Sequence, residues 1–232
     1  MARCEVHGRR AKRGSDMLRV DMHVHSSASF DCRMDPAWVA RRCARLGLAP
    51  TFLTDHDRID GALDAQAAGV AGVVVGEEVT TQEGEIIGLF LSERVPAGLP
   101  TVEAVQRIKD QGGVVYLQHP FDPFRPHLSE RAIEAVADDI DIVEVYNARS
   151  DDEANRRAAD LCAALGLPAG AGSDAHRPGE IGLACVELEP FAGPADFLAK
   201  LCRGRVIRRP SRSLMLARGA FSPFARSTAT LG

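Results

Sequence analysis

Residues 18–26 read Leu-Arg-Val-Asp-Met-His-Val-His-Ser, and this stretch decides the fold class. Apolar and polar residues alternate along it, as they do in a β-strand, and the alternation puts His23 and His25 on one face. The stretch therefore predicts a buried strand whose end carries polar groups suited to chemistry.

The same pattern recurs along the chain. Short apolar runs rich in Val and Ile alternate with segments that show helix caps, such as Asp35 with Pro36 before a helix and Gly47 after it. Strands that alternate with helices form parallel sheets and are buried on both faces. The runs are 18–24, 50–54, 72–75, 86–91, 113–117, 140–145 and 167–171. The sequence predicts an α/β fold with a parallel sheet, interrupted once by a hairpin over residues 84–91.

Length and composition indicate one globular domain. The chain has 232 residues, of which 45% are hydrophobic and 26% charged. We predict a barrel domain over residues 17–204, a basic and disordered N-terminal extension over 1–16, and an arginine-rich C-terminal tail over 205–232.

Charge and cysteine usage narrow the class of partner. The net charge of −4 argues against stable binding of duplex nucleic acid, although the basic ends leave an RNA partner as an alternative. No apolar run approaches the roughly 20 residues that cross a bilayer, so we expect no membrane partner. Six cysteines without a CxxC pair favour reduced thiols and a cytoplasmic location. The oligomeric state is left open.

Residues that can bind metal ions follow most of the apolar runs, and five of the seven histidines occupy such positions. The C-terminal ends of parallel strands open on one face of a barrel, so we expect these side chains to converge there. Imidazole and carboxylate groups are the usual ligands of Zn, Mn or Fe. The candidates are His23, His25, Asp31, His56, Glu78, His119, Asp174 and His176.

Other polar residues fall near the same strand ends. Arg125 and Arg149 are candidate phosphate anchors, because a guanidinium matches two phosphate oxygens; surface ion pairs are the alternative reading. We predict that Asp21 and Asp55 orient neighbouring histidines rather than bind metal.

The ordered set of motifs resembles the PHP (polymerase and histidinol phosphatase) domain family over about residues 18–187. This resemblance implies a distorted (β/α)7 TIM-like barrel that binds two or three divalent ions at the C-terminal ends of its strands. The motifs are Asp21-Met-His23-Val-His25-Ser26 with Asp31 downstream, Thr54-Asp55-His56, Gly76-Glu77-Glu78, His119-Pro120 and Gly172-Ser173-Asp174-Ala175-His176.

The resemblance also implies how the ligands divide among the ions. Asn147 stands where some three-metal members have a histidine and is a possible weak ligand, while Asp35 is the fallback for Asp31. The expected sets are His23, His25, Glu78 and Asp174 for the first ion, Glu78 as a bridge with His119 for the second, and Asp31, His56 and His176 for the third.

The function implied is that of a metal-dependent phosphoesterase, a hydrolase acting on phosphoric ester bonds. A metal-activated water would attack phosphorus, with Asp31, His56 or His176 assisting proton transfer. The short chain favours a nucleotide or the end of a short oligonucleotide as substrate.

Three alternative functions remain open. A histidinol-phosphate-type phosphatase is the first. A metal-dependent amidohydrolase is disfavoured because none of Lys12, Lys109 and Lys200 follows a strand, where a carbamylated lysine would bridge paired metals. A non-catalytic metal-binding regulatory module is disfavoured by the nearly complete ligand set.

Overall fold

The computed structural model describes residues 17–209, which form an α/β fold. The predicted extension over 1–16 and the tail from 210 onward lie outside the described residues. The strands are β1 (Leu18–Val20), β2 (Thr51–Leu53), β3 (Val73–Thr81), β4 (Gly84–Leu89), β5 (Val114–Leu117), β6 (Ile142–Asn147), β7 (Ala169–Gly172), β8 (Ala184–Leu188) and β9 (Arg205–Arg208). The helices are α1 (Pro36–Arg45), α2 (Asp60–Ala67), α3 (Thr101–Asp110), α4 (Glu130–Val136), α5 (Asp152–Leu165) and α6 (Gly193–Leu201).

Local sequence fixes several helix ends. The Asp35 side chain accepts a hydrogen bond from the Trp38 N–H at 2.7 Å, as predicted for the start of α1. Asp151 caps α5 in the same way through the Ala154 N–H, and Gly166 ends that helix with a φ of 66°. These caps satisfy backbone groups that a helix end otherwise leaves without partners.

Six strands form one curled sheet in the order β2-β3-β4-β5-β6-β7. Neighbouring strands are parallel except around β4, which is antiparallel to both β3 and β5. The β3–β4 hairpin confirms the interruption predicted over residues 84–91. The antiparallel pairing of β4 with β3 and β5 departs from the regular alternation of parallel strands and helices in a barrel.

Residues 21–25, directly after β1, connect the two edges of the curled sheet. The Met22 N–H donates to the carbonyl of Ala171 in β7 (3.2 Å), and the N–H of Thr54, directly after β2, donates to the Val24 carbonyl (2.9 Å). The segment therefore fills the gap between β2 and β7 and completes the predicted TIM-like barrel. It also carries His23 and His25 into the barrel interior.

A second sheet of three antiparallel strands, β1-β8-β9, packs beside the barrel. Residues 205–208 were predicted as the start of the tail, but they form β9 and pair with β8 from Ala184↔Arg208 to Glu187↔Arg205. Long-range strand pairing, which the poorly patterned sequence did not reveal, decides this end of the domain.

Two further expectations bear on cellular context. Cys32, Cys43, Cys162 and Cys185 are buried free thiols, as expected, whereas Cys202 is disulfide-bonded, which departs from the expectation of six reduced thiols. Among the described helices, none has both the length and the apolar character needed to cross a membrane.

Candidate metal centre

Five side chains from four regions of the barrel meet in its interior at one end. His23 and His25 follow β1, Glu78 lies in β3, His119 follows β5 and Asp174 follows β7, and each of them is at most 4% exposed. His119 and Asp174 have positive φ angles of 24° and 53°. Such angles are rare outside glycine and are found where a structure holds functional side chains in fixed directions.

The ligand atoms of the first predicted set surround one point. His23 Nε2 and His25 Nε2 lie 3.1 Å apart, and Glu78 Oε2 lies 3.2 and 3.3 Å from them. Asp174 Oδ1 lies 3.8 Å from His23 Nε2 and 3.4 Å from His25 Nε2. Tetrahedral ligands at Zn–N lengths of about 2.05 Å are spaced about 3.3 Å apart. The cluster therefore has the spacing of ligands around a single ion.

The second oxygen of Glu78 faces another histidine. Glu78 Oε1 lies 3.2 Å from His119 Nε2 and accepts a hydrogen bond from Gln118 Nε2 at 3.2 Å. Because the two carboxylate oxygens face different imidazoles, the side chain is oriented as a bridge between two positions.

The third predicted set lies at the rim of the mouth. Asp31 Oδ2 is 3.0 Å from His176 Nε2 and 3.7 Å from His56 Nε2. His56 Nδ1 is 3.3 Å from Glu78 Oε2, and the His176 ring stacks on the His25 ring at 4.1 Å. These rim side chains are 11–38% exposed. All eight predicted ligands thus converge on one mouth.

Three buried ring nitrogens lack a partner with hydrogen-bond geometry among the described residues: His56 Nδ1, His119 Nδ1 and His176 Nε2. Two of them still lie close to carboxylate oxygens, His56 Nδ1 at 3.3 Å from Glu78 and His176 Nε2 at 3.0 Å from Asp31. A buried polar atom without a hydrogen bond is destabilising by about 1–3 kcal/mol, so the cluster is suited to a partner that the side chains themselves do not supply. Imidazole nitrogens beside carboxylate oxygens are a donor set suited to divalent transition metals, and the residues present fit such ions.

The electrostatics of the site also favour a bound cation. Burial opposes protonation of His23, but the charges of Glu78 and Glu144 outweigh it and raise its pKa to about 10. Burial lowers the pKa of His119, and burial with the charge of His25 lowers that of His176 to about 3. The carboxylates therefore favour positive charge beside them, whereas the lowered pKa values of His119 and His176 keep these two imidazoles neutral, as metal ligands must be.

Asp55 and Asp21 both brace the site, but differently. Asp55 accepts a hydrogen bond from Ser29 Oγ at 2.8 Å, and that hydroxyl lies 3.0 Å from His25 Nδ1, so Asp55 orients a ring as predicted. Asp21 accepts from the backbone N–H groups of Ser173 and Gly182. It fixes the loop that carries Asp174 rather than a histidine ring.

Two carboxylates of the site were missed by the sequence reasoning. Glu144 in β6 is fully buried, and its Oε1 lies 3.3 Å from His23 Nδ1 and accepts a hydrogen bond from the Tyr116 hydroxyl at 2.9 Å. In the sequence, the only indication of a role for Glu144 is that a charged residue stands inside an apolar strand. Glu85 in β4 lies 3.8 Å from His56 Nδ1, and burial with the charge of Glu78 raises its pKa to about 8. The hairpin alone brings it there.

The predicted phosphate anchors both reach the site. Arg125 donates to Asp174, Asp122, Asn147 and Ser150, so its guanidinium is held by the protein. Arg149 Nη1 lies 3.3 Å from Asp174 Oδ1 and 2.8 Å from His176 Nδ1, and this side chain is 40% exposed.

Asn147, named as a possible weak ligand, faces the arginines. Its Oδ1 accepts hydrogen bonds from Arg125 Nη2 and the Arg149 N–H, and its Nδ2 donates to Glu144 at 3.0 Å. This amide therefore positions its neighbours in the structure.

The site opens into a cavity of about 150 Å³. It is lined by Phe30, Asp31, His56, Glu78, Glu85, His119, Arg125, Pro126, Arg149, Asp174 and His176. Metal-binding side chains and guanidinium groups thus share one opening.

Sequence comparison supports a relationship to known proteins. Residues 152–206 match the family model described as PHP-associated. The uncharacterized protein MJ1587 of Methanocaldococcus jannaschii is 34% identical over 145 residues, which cover 56% of this chain and 82% of that protein.

Solved structures share the fold. A two-domain protein from Bacteroides vulgatus, containing a predicted PHP-like metal-dependent phosphoesterase, is 19% identical, with a TM-score of 0.68 over 86% of this chain and 70% of its own. The lesion-specific endonuclease PfuEndoQ from Pyrococcus furiosus is 16% identical, with a TM-score of 0.59 over 82% and 57%. An amidohydrolase from Chromobacterium violaceum is 20% identical, with a TM-score of 0.57 over 86% and 96%. At such identities the likeness supports the barrel fold.

Proposed function

Since the chain belongs to the PHP domain family, we propose that it is a metal-dependent phosphoesterase whose substrate is a nucleotide or the end of a short oligonucleotide. The observation that carries the proposal is the buried cluster around His23 and His25. Their Nε2 atoms lie 3.1–3.8 Å from each other and from oxygens of Glu78 and Asp174. Two arginines stand at its edge.

The proposed ion sites keep the division of ligands that the family resemblance implies. The first would be held by His23, His25, Glu78 and Asp174, the second by Glu78 and His119, and the third by Asp31, His56 and His176. When bound, divalent ions of this kind supply a nucleophile by lowering the pKa of water and offset charge on phosphoryl oxygens.

We propose that two arginines, Arg125 and Arg149, provide the positive charge that binds the phosphate group of the substrate. Arg149 is 40% exposed and can turn its guanidinium toward a phosphate, whereas Arg125 is held by four partners and offers a fixed charge. We also propose that Asp31, His56 or His176 assists proton transfer, and Asp31 is the most exposed of the three, at 38%. The arrangement supports binding of an anionic group beside the ligand cluster.

The amidohydrolase alternative lacks its bridging group. Lys109 pairs with Asp141 at 2.6 Å and Lys200 pairs with Asp196 at 2.8 Å, and neither of these described lysines lines the mouth. We propose that the carboxylate of Glu78, whose two oxygens lie near His119 Nε2 and His23 Nε2, would take the bridging role instead.

The test is elemental analysis of the purified protein combined with a substrate panel. Nucleoside monophosphates, 3′,5′-bisphosphates, histidinol phosphate and short RNA are assayed for phosphate or nucleotide release, and amides for ammonia release. We expect at least two equivalents of metal and turnover of a nucleotide or RNA end. Turnover of histidinol phosphate alone would favour that alternative, and ammonia release the amidohydrolase. Bound metal without any turnover would favour a regulatory module.

A further inference from the structure

Phe30 stands on the rim of the mouth with its ring in solvent. The side chain is 87% exposed although it lines the cavity, and its ring centroid lies 5.1 Å from that of His56. Burying a phenylalanine side chain is favourable by about 1.5–3 kcal/mol, and the exposed Phe30 does not gain most of this free energy. A single exposed apolar side chain is ordinary, but one beside a polar cavity is placed to meet what enters it.

The loop that carries Phe30 is held in place. The neighbouring Ser29 hydroxyl donates to Asp55 Oδ1 at 2.8 Å and accepts from the His56 N–H at 3.0 Å. The Ser27 N–H donates to the Met34 carbonyl at 2.7 Å across the base of the loop. The ring is therefore presented from an ordered backbone, which reduces the entropy lost when a partner binds.

The cavity is too small to enclose a whole nucleotide. Its volume is about 150 Å³, whereas pockets that bury most of a drug-sized ligand run from about 300 Å³ upward. A phosphate group and adjoining atoms can enter beside Arg125 and Arg149, so the remainder of a substrate must lie on the rim. Phe30 is the only phenylalanine, tyrosine or tryptophan among the described residues that line this opening.

We propose that Phe30 is a stacking platform for the base of a nucleotide whose phosphate group lies in the cavity, an inference that rests on the proposed phosphoesterase function. An aromatic ring can stack on any base, since every base has a π-face. Phe30 therefore contributes affinity for a base while discriminating weakly among bases. It acts as a specificity residue for nucleotides over other phosphate esters.

Phe124 provides a matched control. It is 89% exposed and lies beside Arg125 in sequence, yet it does not line the cavity. Replacing either phenylalanine by alanine removes a solvent-exposed ring, so a difference between the two variants reports position rather than loss of a ring.

The experiment compares AMP with ribose 5-phosphate, which differ by the base. Stacking is worth about 1–3 kcal/mol per base, so Phe30→Ala should lower kcat/KM for AMP roughly 5- to 150-fold while leaving that for ribose 5-phosphate within about twofold. Phe30→Tyr should retain the preference for AMP, and Phe124→Ala should change neither substrate. Equal losses on both substrates, or no loss on AMP, would overturn the proposal.

A binding measurement separates this inference from the proposed function. Calorimetry uses the phosphonate analogues of both compounds, in which a methylene group replaces the ester oxygen and hydrolysis is blocked. Tighter binding of the AMP analogue, lost in Phe30→Ala, would support the platform even if no ester were turned over. Turnover with no preference for the AMP analogue would overturn the platform and leave the phosphoesterase proposal standing.

Discussion

The mouth of the barrel has two parts that differ in exposure. An inner group, His23, His25, Glu78, His119 and Asp174, is at most 4% exposed, whereas an outer group, Asp31, His56 and His176, is 11–38% exposed. The proposed ligand types are the same in both. What differs is how much water can replace a lost side chain.

The difference in exposure predicts which side chains of the site can be substituted with little loss. A buried charge without its partner is strongly destabilising, because the surrounding protein cannot supply solvation. At the rim, water can substitute for a missing oxygen. The inner group should therefore behave as a unit, and the outer group as separate and weaker contributors.

Glu78→Gln should have the largest effect, because Glu78 contacts His23, His25 and His119. Metal affinity should fall by more than the roughly 100-fold expected for loss of an outer-shell partner, with turnover lost and the fold retained. Elemental analysis measures the bound metal, kinetics the turnover, and circular dichroism the fold.

The adjacent Glu77→Gln is its control. Glu77 is as buried as Glu78, but it accepts a hydrogen bond from the Val95 N–H on the other face of β3. This variant should keep its metal and activity. Full metal occupancy in Glu78→Gln would contradict the prediction that the inner group binds metal as a unit.

Glu144→Gln should come next. It weakens the contact that orients His23 Nδ1, and outer-shell partners contribute roughly 10- to 100-fold to metal affinity or activity. Tyr116→Phe removes one donor to the same oxygen and should have a smaller effect. Metal titration of the wild type, Glu144→Gln and Tyr116→Phe tests whether Glu144→Gln has the larger effect. Wild-type metal affinity in Glu144→Gln would show that His23 is oriented without Glu144.

Arg149→Ala should lower kcat/KM roughly tenfold through KM while leaving metal content unchanged. A charged contact to phosphate is worth about 1.5–3 kcal/mol, and exposure of the side chain places Arg149 at the lower end. Arg156→Ala, which removes a surface arginine paired with Glu153 and Asp160, is the control and should match wild type. Loss of metal in Arg149→Ala would assign that arginine to the ligand scaffold instead.

Asp31→Asn should have the smallest effect. Its carboxylate is 38% exposed, so water can replace the lost oxygen, and activity should fall less than the roughly tenfold minimum expected for partners of buried ligands. Elemental analysis should show at most one equivalent lost, with the inner ions retained. An effect as large as that of Glu78→Gln would break the distinction between the inner and outer groups.

Local patterns predicted much of the fold. The predicted strand runs overlap β1 to β7, and the Asp35 cap and the hairpin at 84–91 were also predicted from neighbouring residues. These features depend on side-chain alternation and on backbone groups within a few residues, and such information is local. The first strand ends at Val20 rather than near residue 24, and β8 was not predicted.

Contacts between distant segments were not predictable in this way. β9 pairs with β8 although its arginine-rich sequence has no strand pattern, and Glu85 lies 3.8 Å from His56 because β4 pairs with β3 in the hairpin. Arg125 was predicted either as a phosphate anchor or as a member of a surface ion pair, and the sequence did not indicate the four protein groups that hold its guanidinium. Each of these outcomes depends on how the sheet curls.

The sequence by itself determined the eight candidate ligands, most of which follow apolar runs, because a strand's alternation and a parallel sheet's polarity follow from the order of residues along the chain. Tertiary structure alone decided which of those side chains became an inner or an outer group and which neighbours brace them. Glu144 meets His23 across 121 residues of sequence, and Asp21 holds Ser173 across 152. Such pairs form only when the barrel closes, because burial then removes water and each polar atom must take the partner that lies within reach.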